Sequence, residues 1–347
     1  MIADLDRLTP DRLTGALRRD GCLDRGHVVD VCVLSQEKTW AATIARLQVS
    51  YSRDASLAAP RRLFFKYTPP NLERDLRIFG SREATFYSTI AADMVAPPLA
   101  HCYDADCSLE TGLAHILLQD LSDTHVQSPW PLPPTVAHCE AIVDALARVH
   151  AHWWDRPPQG EPDSSIRLQY LRQAIKAYPR FVDHLKDRLE PDRREMYERV
   201  LASSFSDRLA ESSHQPPGVT LIHGDAHAWN FFLPRRLQGQ TCIVDWHEWS
   251  VGKGTDDLVE TIALAWFPAR RARLERPLLR HYYERLLAYG VRDHTWSQCW
   301  DDYRASVIVG LFIPISQWVN GISPEVWWGN LERIAVAYQT LECIELL

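Results

Sequence analysis

Two short stretches of this chain hold side chains whose types and spacing suit one kind of chemistry. They are Leu221-Ile222-His223-Gly224-Asp225-Ala226-His227-Ala228-Trp229-Asn230 and Ile243-Val244-Asp245-Trp246. The first sets an Asp and an Asn at D-x-x-x-x-N spacing, and the second adds another Asp. Transfer of a phosphoryl group from ATP needs one carboxylate to orient a hydroxyl and take its proton. It also needs an amide oxygen and a second carboxylate to hold magnesium. Two carboxylates and an amide make a hard, oxygen-rich site of that type. A rival reading takes His223-x-x-x-His227 with Asp225 and Asp245 as a zinc or manganese site of a hydrolase. A His pair at that spacing suits a helix, which Gly224 and the adjoining strand signals oppose.

The flanks say how these residues are positioned. Val219 to Ile222 reads as a strand running into the loop His223 to Asn230. Asn230 to Leu233 and Thr241 to Val244 read as a hairpin across the turn Pro234 to Gln240, which folds Asp245 back toward Asn230. Further upstream, His27 to Gln36, Ala41 to Ser50 and Arg61 to Thr68 read as strands. In the third of these, Leu63, Phe65 and Tyr67 face one way, while Phe64, Lys66 and Thr68 face the other. After Pro69-Pro70 two helices are expected, the first capped by Asn71 and ended by Gly80, the second capped by Ser81. Glu83, Tyr87, Ile90 and Met94 then form one stripe. A carboxylate on a buried stripe needs a partner, and Lys66 is the natural one; the alternatives are a solvated strand lysine and an acid placed at the first turn of its helix.

Another strand, His115 to Leu118, leads into Gln119-Asp120-Leu121-Ser122, read as the joint between two lobes. A loop with Pro129, Pro131, Pro133 and Pro134 follows. The remainder is helical: Thr135 to Trp154, with Cys139, Ile142, Val143, Leu146, Val149 and Trp153 on one stripe, then about 166–210, 256–290 and 297–345. The uncharged run Ala305 to Pro324 is long enough to span a membrane. Its Gly310, Pro314, Gln317, Asn320 and Gly321 favour a buried helix broken near Pro314 instead.

Composition narrows the function. The 347 residues are 46% hydrophobic and 24% charged, as in a soluble globular protein. A net charge of -7 disfavours a broad nucleic-acid surface. Eight scattered cysteines with no C-x-x-C pair read as reduced thiols of a cytoplasmic protein. Met1 to Arg19 reads as a charged helix with Thr9 as N-cap and Pro10 at its first position, rather than as a signal peptide. Of thirteen tryptophans, Trp229, Trp246 and Trp249 flank the chemistry-bearing segments. They, with Trp318, Trp327 and Trp328, read either as core or as an aromatic pocket for a bulky apolar or cationic alcohol. Glu248, Asp256 and Glu260 would favour the cationic one.

On Lys66, Glu83, Leu117 to Leu121, the loop His223 to Asn230 and Asp245-Trp246, the chain resembles the aminoglycoside phosphotransferase and choline kinase-like families of the protein-kinase-like fold. It is most similar there to the ecdysteroid kinase-like small-molecule kinases. Gly252-Lys253-Gly254-Thr255-Asp256-Asp257-Leu258 also resembles the G-x-G-x-x-D-L that follows the metal Asp in that group. The resemblance covers roughly residues 25 to 345. It implies an α+β, bilobal protein with an N-terminal antiparallel-sheet lobe (1–118), a hinge (119–123) and a larger helical lobe (124–347). It implies that Lys66 contacts the α- and β-phosphates of ATP and pairs with Glu83, and that Asp225 is the catalytic base. Asn230 and Asp245 would hold Mg²⁺, and Gln119, Asp120 and Leu121 would offer backbone groups to adenine. Asp257 would brace the catalytic loop, its alternative being an ordinary acid at a helix start, and His223 would shape the loop. The partner implied is a small hydroxylated acceptor, with no nucleic acid and no membrane. One departure stands out: the turn expected over the phosphates, Ser35-Gln36-Glu37-Lys38-Thr39-Trp40, has no glycine. Ser35, Lys38 and Thr39 could serve there with their side chains. The alternative reading is a catalytically silent nucleotide-binding or scaffold protein.

Overall fold

Alternating burial builds the first sheet. In the computed structural model, β1 (Val28–Lys38), β2 (Thr43–Tyr51), β3 (Arg62–Tyr67), β4 (Cys102–Cys107) and β5 (Ala114–Gln119) form an antiparallel sheet in the order β1-β2-β3-β5-β4. Leu63, Phe65 and Tyr67 of β3 are buried and join Leu47 and Leu117 in one apolar cluster. The helix α1 (Pro10–Asp20) closes that cluster with Leu13, Ala16 and Leu17. Each leucine so buried contributes roughly 1.5–3 kcal/mol relative to exposure. Thr9 caps α1 by accepting from the Arg12 amide, Pro10 stands in the first turn, and Gly21 ends the helix in the left-handed region. The structure describes residues 4–129, 132–158, 165–203, 205, 217–236 and 239–347. Pro131, the end of the helix expected over 166–210, and residues 237–238 of the turn before Gln240 lie outside these.

The expected pair of helices after Pro70 is corrected. A short 3-10 turn, Arg74–Leu76, leads into one continuous helix, α2 (Arg77–Thr85), which runs through Gly80 and Ser81 into a wider turn, Phe86–Ile90. Asn71 does not cap it. Gly80 is there because α2 packs closely on the end of β3: a Cβ at Gly80 would stand 2.2 Å from Thr68 Oγ1. Ser81 Oγ donates to the Arg77 carbonyl one turn back, so it serves within the helix rather than at its start. The stripe Glu83, Tyr87, Ile90 and Met94 is buried throughout.

The chain divides into two compact units, Met1–Val126 with Phe232–Trp249, and Gln127–Phe231 with Ser250–Leu347. The first therefore also holds β6 (His125–Val126), most of β8 (Phe231–Pro234) and β9 (Cys242–Ile243), which pair in the order β6-β8-β9. In the second unit β7 (Val219–Ile222) pairs antiparallel with β10 (Ser250–Lys253). Around this ribbon lie α3 (Val136–Trp153), α4 (Ser165–Leu185), α5 (Pro191–Ala202), α6 (Thr255–Leu258), α7 (Pro268–Ala288), α8 (Trp296–Gly310), α9 (Ile313–Val319) and α10 (Pro324–Thr340). Thr135 caps α3, whose apolar stripe is buried and packs along α7. The uncharged run Ala305 to Pro324 is broken where expected, with α8 ending at Gly310 and Pro314 in the first turn of α9. Among the described residues no helix is long and apolar enough to cross a membrane.

Candidate active site

In the first unit the sheet, α2 and the segment after β9 bring three charges together. Lys66 lies on the face of β3 opposite the core, so its Nζ leaves the sheet toward α2. It lies 2.7 Å from Glu83 Oε2 and 2.5 Å from Asp245 Oδ1. Asp245 has φ +67, a left-handed conformation uncommon outside glycine, although Asp tolerates it better than most residues. His247, two residues on, places its Nδ1 2.9 Å from the same Asp245 Oδ1. Burial works against charge on Asp245, but Lys66 and His247 outweigh it and hold its carboxyl well below the usual range. Burial likewise opposes a charged His247, and Asp245 reverses this and lifts the imidazole to about 9. Lys66 is half-buried, and the two carboxylates keep it firmly ammonium.

Arg82 of α2 fixes the segment that follows Asp245. Its Nε donates to the His247 carbonyl at 3.1 Å, and a second nitrogen donates to the Trp249 carbonyl. Its guanidinium sits 4.7 Å from the centroid of the Trp249 ring, while Trp249 Nε1 donates back to the Arg82 carbonyl. Trp246 stacks on Phe86 at 4.1 Å and is fully buried. Trp246 and Trp249 are therefore core residues of this unit, the first of the two readings open to them. Arg82 and His247 were not singled out from the sequence. Their work depends on contacts between distant segments, and neither carries a spacing signal.

In the second unit β7 delivers the loop His223–Asn230. Gly224, at φ +81, starts its turn. Asp257 of α6 pins that turn: its carboxylate accepts the backbone N–H of His223 at 2.7 Å and of Gly224 at 2.9 Å, and lies 3.1 Å from His150 Nε2 of α3. Burial opposes its charge, but His150 and the loop amides keep its carboxyl below the ordinary value. His223 Nδ1 accepts the Asp225 amide at 3.2 Å, so His223 shapes the loop. Glu260 accepts the Ala226 amide at 2.5 Å, and Thr261 Oγ1 donates to the Ala226 carbonyl. Asn230 Nδ2 donates to the Asp225 carbonyl at 2.8 Å and to Asp225 Oδ2 at 3.2 Å. This pairing turns the Asn230 amide nitrogen toward Asp225.

The other candidate positions are in the first unit. Gln119 ends β5, its N–H donating to the His101 carbonyl. Asp120 Oδ1 accepts the Ser122 amide, and its Oδ2 lies 3.5 Å from Arg62 Nε. The Leu121 carbonyl accepts from Thr124 and His125. The turn is shorter than expected: Ser35 and Lys38 belong to β1, opposite Arg46 and Thr43, and only Thr39 of the three stands in the turn, all of them exposed. The Thr39 hydroxyl is used by its own turn, bonded both to the Ala42 carbonyl and to the Ala42 amide. Among the described residues no three His, Cys, Asp or Glu side chains group to hold a metal. The acids proposed to draw a cationic acceptor are largely engaged already. Asp256 accepts from the Lys253 amide and from Ser306 Oγ, and Glu260 holds the loop.

A model of the phosphotransferase enzyme family matches residues 52–294, most of the chain. No curated protein sequence matches significantly. Among solved structures, a candidate aminoglycoside phosphotransferase of Ralstonia eutropha is 15% identical with a TM-score of 0.51, over 97% of this chain and 98% of its own. A choline/ethanolamine kinase family protein of Mesorhizobium loti is 14% identical with a TM-score of 0.51, over 91% and 93%. A mutant aminoglycoside 2'-phosphotransferase-IIIa in complex with GDP is 13% identical with a TM-score of 0.50, over 97% and 98%. At these identities the likeness establishes the fold, the α+β protein-kinase-like one.

Proposed function

This chain belongs to the phosphotransferase enzyme family, and we propose that it transfers the γ-phosphoryl group of ATP to a hydroxyl of a small molecule in the presence of Mg²⁺. The observation that carries this reading is Lys66 held between Glu83 and Asp245. An ammonium with three donors and two carboxylate partners keeps a donor for phosphate and a fixed position from which to use it. Lys66 would meet the α- and β-phosphates. Gln119 to Leu121 would serve adenine, and Ser35, Lys38 and Thr39 the phosphate turn. Asn230 and Asp245 would each offer a hard oxygen donor of the kind Mg²⁺ prefers. When bound there, the ion would neutralise charge on the phosphate oxygens.

The loop chemistry follows from Asp225. The acceptor oxygen bonds to the γ-phosphorus as its O–H proton passes to the Asp225 carboxylate. The bridging bond to the β-phosphate breaks, and ADP leaves. Asn230 and the Asp257-pinned turn keep that carboxylate oriented, so catalysis is mainly positioning and charge stabilisation. The similar solved structures include an aminoglycoside phosphotransferase and a choline/ethanolamine kinase family protein, which supports a small-molecule acceptor. The test is Mg-ATP turnover against hydroxylated metabolites, aminoglycosides, choline and sterols, read as the mass gained by the acceptor. Asp225→Asn should lower kcat by about 10²- to 10⁴-fold, the scale for a lost general base, while Mg-ATP still binds. A variant as active as the parent chain would refute the role.

A further inference from the structure

The hairpin turn between β1 and β2 lacks the glycines that let such a turn close over phosphates, and it carries a tryptophan instead. Trp40 is 59% exposed, yet its ring is not without neighbours. Its ring meets Phe79 edge-on, with centroids 4.7 Å apart, and His247 at 6.0 Å. Phe79 and His247 meet each other at 5.5 Å. These partners are not arbitrary. Phe79 lies one helical turn before Glu83 on the same face of α2. His247 is bonded to Asp245 Oδ1. The aromatic trio Trp40, Phe79 and His247 therefore touches the same two elements that clasp Lys66, and ties the turn to the ionic trio Lys66, Glu83 and Asp245.

We propose that Trp40 is a positioning residue for the nucleotide phosphates: packed on Phe79 and His247, it sets the place of the β1–β2 turn relative to Lys66. This rests on the proposed ATP site. The turn is internally closed, with the Thr39 amide and hydroxyl both bonded to the Ala42 carbonyl. It moves as one piece, and Trp40 fixes where that piece sits. A latch of this kind substitutes a side-chain contact for glycine's backbone freedom. It acts on the phosphates and leaves adenosine recognition, at Gln119 to Leu121, to another part of the same unit.

The test compares Mg-ATP with adenosine in direct binding to the full-length wild type, Trp40→Ala and Trp40→Phe. For Trp40→Ala, Mg-ATP affinity should fall about tenfold, the scale of a lost pair of aromatic contacts, while adenosine affinity stays within about twofold. Trp40→Phe, which keeps a ring on Phe79, should recover most of the loss. Two results overturn the latch: unchanged Mg-ATP binding by Trp40→Ala, or parallel loss of Mg-ATP and adenosine, which is the sign of a merely structural role. If wild type binds adenosine and gains nothing from the triphosphate, the ATP-site reading fails first and the latch with it. Thermal unfolding of each variant accompanies the titrations, and Trp40→Phe keeps the comparison decisive if Trp40→Ala folds poorly.

Discussion

Asp257 orders the loop that carries Asp225. Two backbone amides and an imidazole converge on one buried carboxylate. Asp257→Asn keeps the shape but turns a donor toward at least one donor. Leaving buried groups unpaired in this way costs about 2–4 kcal/mol. The loop that carries Asp225 would lose its anchor, so kcat should fall at least about tenfold while Mg-ATP affinity holds. Thermal unfolding and steady-state kinetics on the same preparation check both, and wild-type values in both would end the bracing role. The sequence pointed to Asp257 through the G-x-G-x-x-D-L pattern but left it undecided between brace and helix-start acid. Only the folded loop shows that both amides reach it. Lys66 and Glu83 were easier to find, since a charge on a strand face and a charge in an apolar stripe each announce a need for a partner. His247 and Arg82 announced nothing: a histidine beside a tryptophan and an arginine in a helix are ordinary until Asp245 and the segment to Trp249 fold against them.

At the scale of elements, α2 decides the geometry around Lys66, and Gly80 decides where α2 lies. An added methyl at Gly80 would collide with Thr68 Oγ1. Gly80→Ala should therefore destabilise by about 1–3 kcal/mol through overpacking, despite alanine's better helix propensity. On a Thr68→Ala background the obstacle is gone, and the same substitution should become neutral or stabilising by up to about 1 kcal/mol. Urea unfolding of the four-variant cycle measures the coupling, and additive effects would refute the contact. Reading Gly80 as a helix stop was a reasonable use of local propensity that close packing overrode. β4 escaped the sequence reading for a related reason. Its Tyr103-Asp104-Ala105-Asp106 core alternates too weakly to announce a strand, and Asp104 is admitted because Arg19 and His115 bond to it from α1 and β5. β1 to β3, α1 and α3 were legible because caps, alternation and apolar stripes are written within each segment.

At the scale of the whole molecule, stability against pH tests a pair that takes no part in the proposed chemistry. His294 and Asp302 lie 4.0 Å apart in the second unit, with Lys253 3.9 Å from Asp302. Burial, then Lys253, pushes His294 down to about 4, with Asp155 acting the other way. Burial raises Asp302 to about 6 against the pull of Lys253, and Asp256 and Asp301 add to the rise. The signs oppose. His294 folds neutral, so its contribution is whole above its ordinary 6.5 and is lost as pH falls toward 4. Asp302 folds more readily protonated, so its contribution is whole below its ordinary 3.8 and is lost as pH rises through 6. Between these limits the two slopes largely cancel in wild type. Asp302→Asn should leave the histidine's slope, making stability rise by about 2–3 kcal/mol across that window relative to wild type. His294→Gln should leave the aspartate's slope and make stability fall across it by a similar amount. Urea midpoints taken at half-unit steps through the window, each compared with wild type at the same pH, cancel the carboxylates common to all three proteins. Parallel curves would mean that neither group titrates differently in the folded chain, and a single deviating variant would assign the linkage to that residue alone.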